Sequence, residues 1–227
     1  APEAAGPWPG ILIVHGAEGP GAGWSHRFAA ILAAHGFAAL PMSYGEGTVF
    51  GSGSIREVPL SSLGTALGAL AALDTVGKCG VFGWSKGAEM TLLWAALDGR
   101  GADALAVHAP ADHVGAAFDP RTFDPSRRLG RPAPDAPPAW TWPSAPDKVL
   151  PGAPIEVERI SAPLFLSVGL SDEILDPAMT RRLAERLGAA GRPPTLWEAP
   201  GQGHAFDFEM EPVLWQRLTT FFAAHLG

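Results

Sequence analysis

Short runs of apolar residues alternate along the chain with longer segments in which apolar residues recur at helical spacing. A short apolar run bounded by glycine or polar residues is typical of a strand buried in a sheet, and the longer pattern is typical of an amphipathic helix. The predicted strands are 11–14, 37–42, 79–82, 104–107, 164–168 and 195–198, and the predicted helices are 25–35, 60–73, 88–97, 177–189 and 211–226. This alternation predicts an α/β fold with a mostly parallel sheet and helices on both faces.

Proline is concentrated in one segment of the chain. Eleven of the 23 prolines fall between residues 110 and 154, together with Trp140 and Trp142. Repeated proline interrupts helices and strands, and a long irregular segment inside a domain commonly covers a functional site. We therefore expect a cap-like insertion at about 110–158, with both tryptophans lining a substrate site. The alternative is a surface excursion that the two indole rings anchor.

The motif G-x-S-x-G occurs at residues 83–87, between a predicted strand and a predicted helix. A serine on such a tight turn projects its hydroxyl above the sheet, and the two glycines let strand and helix approach each other. Ser85 is therefore the predicted nucleophile. The backbone N–H of Lys86, at the start of the helix, is a predicted donor to an oxyanion. The alternative is a serine that caps an ordinary helix.

A serine hydroxyl needs a neighbouring base, and that base needs an acid that fixes its tautomer. His204 and Asp172 each follow a predicted strand, so both are expected at the carboxyl edge of the sheet. Together with Ser85 they form a predicted triad in the chain order serine, aspartate, histidine. Asp176 is the rival acid, but its position directly before Pro177 favours a helix N-cap.

The loop after the first predicted strand is the expected source of a second oxyanion donor. The N–H of Ala17 is the first choice and that of Glu18 the second, and the Glu18 side chain is also a candidate contact to substrate. His15 is expected to shape this loop. The remaining histidines have no matching partner pattern and are expected to be ordinary: His26, His35, His108, His113 and His225. Histidine and cysteine spacing predicts no metal site, and no phosphate-binding loop pattern is present, so no cofactor is predicted.

The composition fits one α/β domain over residues 1–227, with 47% hydrophobic residues to form its core. The net charge of −7, with no basic run, makes nucleic acid and anionic membrane surfaces poor candidates for partners. No apolar run approaches the ~20 residues that a membrane-spanning helix needs. The single cysteine favours a reducing compartment, and we expect a cytoplasmic location. The oligomeric state is left open.

Several stretches together resemble the C-terminal catalytic domain shared by acyl-CoA thioesterases and bile acid-CoA:amino acid N-acyltransferases. The most specific are S-K-G-A-E at 85–89 and P-I-E-V-E-R-I at 154–160. The others are A-E-G at 17–19, G-F-A at 36–38, A-W-T-W at 139–142 and G-Q-G-H at 201–204, the last also typical of the similar dienelactone hydrolases. The resemblance spans almost the whole chain. The sequence departs from it in lacking the β-sandwich of larger members, and we expect the usual two leading strands of the sheet to be missing.

The resemblance implies an α/β-hydrolase fold in which Ser85, Asp172 and His204 act as a triad on an acyl thioester, without a cofactor. The leading interpretation is hydrolysis of a small-molecule acyl thioester or ester, above all acyl-CoA, through a seryl acyl-enzyme. One alternative is a carboxylesterase or dienelactone-type hydrolase, and another is a non-catalytic binding module. A third is acyl transfer to an amine, but the N-acyltransferases of this family carry cysteine at the elbow, so the serine favours water as the acceptor.

Overall fold

A parallel sheet of six strands forms the centre of the fold. The structure is a computed structural model that describes residues 6–45, 53–124, 126 and 128–227. The strands in these residues are β1 (Trp8–Val14), β2 (Ala38–Met42), β3 (Val58–Pro59), β4 (Val76–Trp84), β5 (Ala104–His108), β6 (Trp140–Thr141), β7 (Leu164–Gly169) and β8 (Thr195–Ala199). The main sheet has the order β2-β1-β4-β5-β7-β8 with parallel neighbours, while β3 and β6 form a separate pair. The predicted parallel sheet is confirmed.

Helices cover both faces of this sheet. In the described residues they are α1 (Trp24–Ala34), α2 (Ser61–Ala71), α3 (Lys86–Leu97), α4 (Pro177–Ala189) and α5 (Glu211–Leu226). The fold has a hydrophobic cluster on each face of the sheet, and strand β1 contributes to both. Leu12 and Val14 pack with α2, α3 and α4 on one face, whereas Ile11 and Ile13 pack with α1 and α5 on the other. Successive side chains of a strand point to opposite faces, so a strand between two helical layers must be apolar throughout. None of these helices has the length and apolarity needed to cross a membrane.

Strand β1 begins earlier than the sequence predicts. A glycine- and proline-rich stretch is expected to be irregular over residues 1–10, but Gly10 pairs with Ala38 of β2 and with Cys79 of β4. Pairing with a strand on each side overrides the weak strand propensity of glycine and proline. The first part of that stretch, residues 1–5, lies outside the described residues.

The chain between β5 and β7 has little regular structure. In the described residues it contains β6 and two short 3-10 turns, Pro146–Val149 and Val157–Arg159. A bridge between Ile55 and Phe118 and the pairing of β3 with β6 attach this insertion to the segment before α2. The proline content thus corresponds to an irregular connection that is fixed at several points along its length.

Candidate active site

Ser85 lies at the turn between β4 and α3. Its backbone has φ 52° and ψ −114°, a conformation that costs a non-glycine residue about 1–3 kcal/mol. The Ser85 N–H donates to the His108 carbonyl at 2.9 Å, and the Glu89 N–H donates to the Ser85 carbonyl at 3.1 Å. Ser85 is the N-cap residue of α3, but its side chain makes no capping hydrogen bond, so the structure does not support a serine whose hydroxyl only caps the helix.

Both glycines of the motif are required by close approach of backbone to backbone. A Cβ atom at Gly87 would overlap the carbonyl oxygens of Val14 and His15, and one at Gly83 would overlap the carbonyl of Gly87. Backbone atoms of a central strand cannot move aside as a flexible side chain can. The start of α3 therefore lies directly on the end of β1, which brings the loop after β1 next to the serine.

Ser85, His204 and Asp172 form a continuous hydrogen-bonded chain. His204 Nε2 is 2.8 Å from Ser85 Oγ, and His204 Nδ1 is 2.8 Å from Asp172 Oδ2. Asp172 is fully buried, and its other oxygen accepts the N–H groups of Ile174 and Leu175 at 2.8 and 2.9 Å. An ionised carboxylate only accepts hydrogen bonds, so the ring proton lies on Nδ1 and Nε2 accepts from the serine hydroxyl.

The two candidate acids have different surroundings. Burial raises the pKa of Asp172, but hydrogen bonds from His204 and from backbone N–H groups outweigh this effect, and the pKa lies below its usual value. Asp176 instead accepts the Ala178 N–H at 2.9 Å as the N-cap of α4, as its position before a proline predicts. The structure therefore places Asp172, and not Asp176, against the histidine.

His108 belongs to this site, although its sequence context predicts an ordinary histidine. It ends β5, is completely buried, and lies with Nδ1 2.9 Å from Ser167 Oγ and Nε2 3.0 Å from the His204 carbonyl oxygen. Burial lowers the pKa of His108 to about 3, so the ring is neutral. Its single N–H donates to the His204 carbonyl, while Nδ1 accepts from the Ser167 hydroxyl. His108 thus holds the loop that carries the predicted base.

The predicted oxyanion donors lie beside the serine. Ala17, Glu18 and Lys86 all line the cavity into which Ser85 opens. Lys86 is the first residue of α3, where backbone N–H groups have no partner within the helix. Glu18 turns back on its own loop, because its Oε1 accepts the Gly16 N–H at 2.8 Å, and burial raises its pKa. The Ala17 and Lys86 N–H groups stay the predicted oxyanion donors.

A cavity of about 550 Å³ contains Ser85 and His204 in its wall. Large apolar side chains dominate the wall, among them Trp24, Trp84, Phe118, Phe123, Leu129 and Ile174. Half of the lining residues come from 111–132, so the irregular insertion forms one side of the cavity. A pocket of this size and polarity suits an apolar group of a small-molecule ligand.

Neither Trp140 nor Trp142 is among the residues that line the cavity, which corrects the prediction for both. Trp140 lies behind the wall, with its ring 1% exposed and its Nε1 donating to Glu89 Oε1 at 2.6 Å. A buried indole needs a partner for its N–H, and the buried carboxylate of Glu89 supplies one. Trp142 packs, partly buried, against the core on the same side of the sheet.

Glu89 connects the insertion to α3. Besides Trp140, it accepts the Gly115 N–H at 2.8 Å and pairs with Lys86 Nζ at 2.9 Å. Lys86 Nζ also donates to the Ala116 carbonyl at 3.1 Å. Because Glu89 is 3% exposed, these partners compensate a charge that would otherwise be costly to bury. The wall of the cavity is therefore fastened to the same helix that begins at the serine.

Comparison with solved structures identifies the fold. The chain is similar to a monoacylglycerol lipase of Paleococcus ferrophilus, with a TM-score of 0.64, 20% identity and 98% of each chain covered. It is similar to Est1E of Butyrivibrio proteoclasticus, solved with ferulic acid bound, with a TM-score of 0.63 and 19% identity over 96% of this chain and 89% of that one. It also matches a puromycin-hydrolyzing peptidase of Mycobacterium tuberculosis with a TM-score of 0.72 and 19% identity, covering 100% of this chain but only 35% of the peptidase.

These similarities show that the chain has the α/β-hydrolase fold, as the sequence predicts. At such identities they show the fold alone. No protein-family model and no curated protein matches the chain. Membership in the acyl-CoA thioesterase and N-acyltransferase family therefore stays a prediction.

We predict that His108 couples folding stability to pH. Its pKa is about 3 in the folded protein against an ordinary value of 6.5, so below that ordinary value the unfolded chain binds a proton that the folded protein does not. The free energy of unfolding should therefore fall, from this residue alone, by about 1.4 kcal/mol per pH unit between pH ~6 and ~4. Denaturant titrations at several pH values in this range give the free energy of unfolding as a function of pH. In His108→Gln this free energy should fall less steeply with decreasing pH, by about this amount per pH unit.

His26→Gln is the matched control, because His26 is an exposed residue of α1 that does not line the cavity. The free energy of unfolding of this variant should depend on pH as it does in the unmodified protein. The same pH dependence of this free energy in His108→Gln and in the unmodified protein would contradict a buried neutral ring at position 108.

Proposed function

We propose that the protein is a serine hydrolase that cleaves an acyl ester or thioester through an acyl-enzyme on Ser85. The observation that carries this proposal is the hydrogen-bonded chain from buried Asp172 through His204 to the Ser85 hydroxyl, in the wall of an apolar cavity. A hydroxyl in contact with an oriented imidazole is the arrangement that makes serine nucleophilic. The strained turn at Ser85 is what the nucleophile position of this fold requires.

Acylation uses each group in a defined role. Ser85 Oγ attacks the substrate carbonyl carbon while its proton passes to His204 Nε2, and Asp172 stabilises the imidazolium through Nδ1–H. The negative charge that develops on the carbonyl oxygen is directed toward the N–H groups of Ala17 and Lys86. Collapse of the tetrahedral intermediate breaks the bond to the alcohol or thiol, which leaves with the proton from His204.

Deacylation repeats these steps with water. His204 takes a proton from a water molecule, whose oxygen attacks the carbonyl carbon of the Ser85 ester. The same N–H groups stabilise the second oxyanion, and the proton returns to Ser85 Oγ as the acid is released. The apolar wall contributes by binding the acyl group and by limiting access of water to the charged intermediate.

The apolar wall of the cavity favours an apolar acyl group in the substrate. The identity of the leaving group is a separate part of the proposal. The family resemblance carried by the runs at 85–89 and 154–160 favours a coenzyme A thioester. The similarity to a monoacylglycerol lipase and to Est1E makes an oxygen ester the alternative. Parallel assays with acyl-CoA and aryl esters of the same acyl chain distinguish the two, because only the leaving group differs between them.

We predict that Asp172→Asn lowers kcat by about 10³- to 10⁴-fold, because the wrong imidazole tautomer then faces the serine. Ser85→Ala and His204→Ala should lower kcat at least as far, and the double variant should be little worse than either, because the three residues act as a unit. The measurement is kcat on one ester substrate for all variants.

Asp176→Ala is the control for the acid, because it removes an N-cap only and should cost about 1 kcal/mol of stability with kcat retained. A larger loss of kcat in Asp176→Ala than in Asp172→Asn would transfer the acid role to Asp176. Losses that multiply in the Ser85 and His204 double variant would contradict a shared role for these two residues.

We predict that Phe118→Ala reduces the preference for longer acyl chains, because Phe118 lines the cavity. Each methylene buried against the wall contributes ~0.8 kcal/mol, or about fourfold in kcat/KM, until the cavity is filled. Trp142→Ala is the control, since this ring packs on the core and does not line the cavity. An altered chain-length profile in Trp142→Ala and an unaltered one in Phe118→Ala would contradict this cavity as the acyl site.

A further inference from the structure

His113 is a buried polar side chain on the apolar wall that the proposed mechanism does not use. It is 3% exposed, and it lines the same cavity as Ser85. Its Nδ1 is 2.7 Å from Asp112 Oδ1, and the other oxygen of Asp112 accepts from Arg182 Nε at 2.6 Å. The sequence alone predicts an ordinary histidine here. The structure instead shows a ring held in place by a chain of two further side chains.

The surroundings of Asp112 determine which nitrogen of the His113 ring carries a proton. Burial raises the pKa of Asp112, but hydrogen bonds from His113 and Arg182 outweigh this effect and hold that pKa well below its usual range. Asp112 is therefore a carboxylate that only accepts, so His113 Nδ1 carries a proton. In a neutral ring with its proton on Nδ1, Nε2 is the acceptor.

The opposite edge of the ring is available to a ligand. In the described part of the chain, His113 Nε2 has no hydrogen-bond partner, and it is not one of the sealed polar atoms that lack one. Two other polar side chains of the wall, Lys86 and Glu18, are each held by protein groups. Lys86 Nζ is bonded to Glu89 and to the Ala116 carbonyl, and Glu18 Oε1 accepts the Gly16 N–H. His113 Nε2 is thus an acceptor held at a fixed position in a mostly apolar wall.

We propose that His113 Nε2 accepts a hydrogen bond from a hydroxyl group on the acyl chain, so that the substrates are hydroxyacyl esters or thioesters. This inference rests on the proposed function of Ser85. A buried acceptor that stays unpaired when the cavity fills with hydrocarbon is costly, whereas a hydroxyl satisfies both groups. A site built to pair with a hydroxyl rejects the analogue that lacks it more strongly than an apolar pocket rejects an added hydroxyl.

The test compares two series of p-nitrophenyl esters of graded length, one ending in a hydroxyl and the other in a methyl group at the same position. The ratio of kcat/KM for hydroxyl over methyl should rise to about tenfold or more at one chain length, where the hydroxyl reaches Nε2. His113→Phe keeps the approximate ring volume but removes the acceptor, and it should abolish this maximum. His26→Gln, a change at an exposed histidine, should leave the maximum in place.

Other outcomes separate this inference from the proposed function. Hydrolysis of the methyl series with no maximum for the hydroxyl series would overturn the inference while leaving the hydrolase intact. A preference for a third series ending in a carboxylate would also overturn it, because that group requires a donor at Nε2. If His113→Phe does not fold, the ratio in the unmodified protein still decides between these outcomes.

A binding measurement on Ser85→Ala is independent of catalysis. Calorimetry should show tighter binding of the ω-hydroxy fatty acid than of the unsubstituted acid at one chain length. If Ser85→Ala shows this preference but the unmodified protein hydrolyses no ester, the recognition by His113 is supported and the hydrolase is overturned. Equal binding of the two acids at every length would overturn the recognition by His113.

Discussion

One histidine at the end of β5 joins the segment that carries the serine to the segment that carries the base. The His108 carbonyl accepts the Ser85 N–H at 2.9 Å, and the His108 ring donates to the His204 carbonyl at 3.0 Å. Its position is fixed in turn by the parallel pairing of β4 with β5, in which Trp84 lies opposite His108. The arrangement requires a neutral ring with one N–H, which burial ensures by lowering the pKa to about 3. The 2.8 Å contact between Ser85 and His204 therefore depends on the register of two central strands.

The residues with a local signal were those that the sequence could predict. Short apolar runs predict the six strands of the main sheet, because a strand buried on both faces admits few polar residues. The G-x-S-x-G turn predicts the position of Ser85, and the proline after Asp176 predicts an N-cap there. Asp172 and His204 were predictable because parallel strands end at one edge of a sheet, so residues that follow different strands meet there.

The residues that the sequence missed are defined by contacts across the fold. His108 follows an apolar run just as His15 does, but only the loop after β8 reveals which group its ring contacts. His113 is recognisable as a site residue only through Asp112, which is its neighbour, and Arg182, which lies on another element. Trp140 is the opposite case, a residue predicted to line the site that does not line it. A large ring in a proline-rich segment is typical of a binding surface, but the N–H of this ring is bonded to buried Glu89. Each case depends on a contact with a residue distant in sequence, which for the pair of Asp112 and His113 is Arg182.

The insertion and the residues at the edge of the sheet line one cavity together. Glu89 bonds to the insertion through Trp140 and Gly115, and it lies on the helix that begins immediately after Ser85. The cavity wall and the serine are thus positioned by the same helix, which fixes the wall relative to the serine hydroxyl. The central claim is that Ser85 is an activated nucleophile. Its most direct test is reaction with a fluorophosphonate probe followed by peptide mass spectrometry. We expect a single adduct on Ser85, which the His204→Ala variant should form far more slowly. A folded protein with no adduct, or with an adduct on a different residue, would contradict this claim.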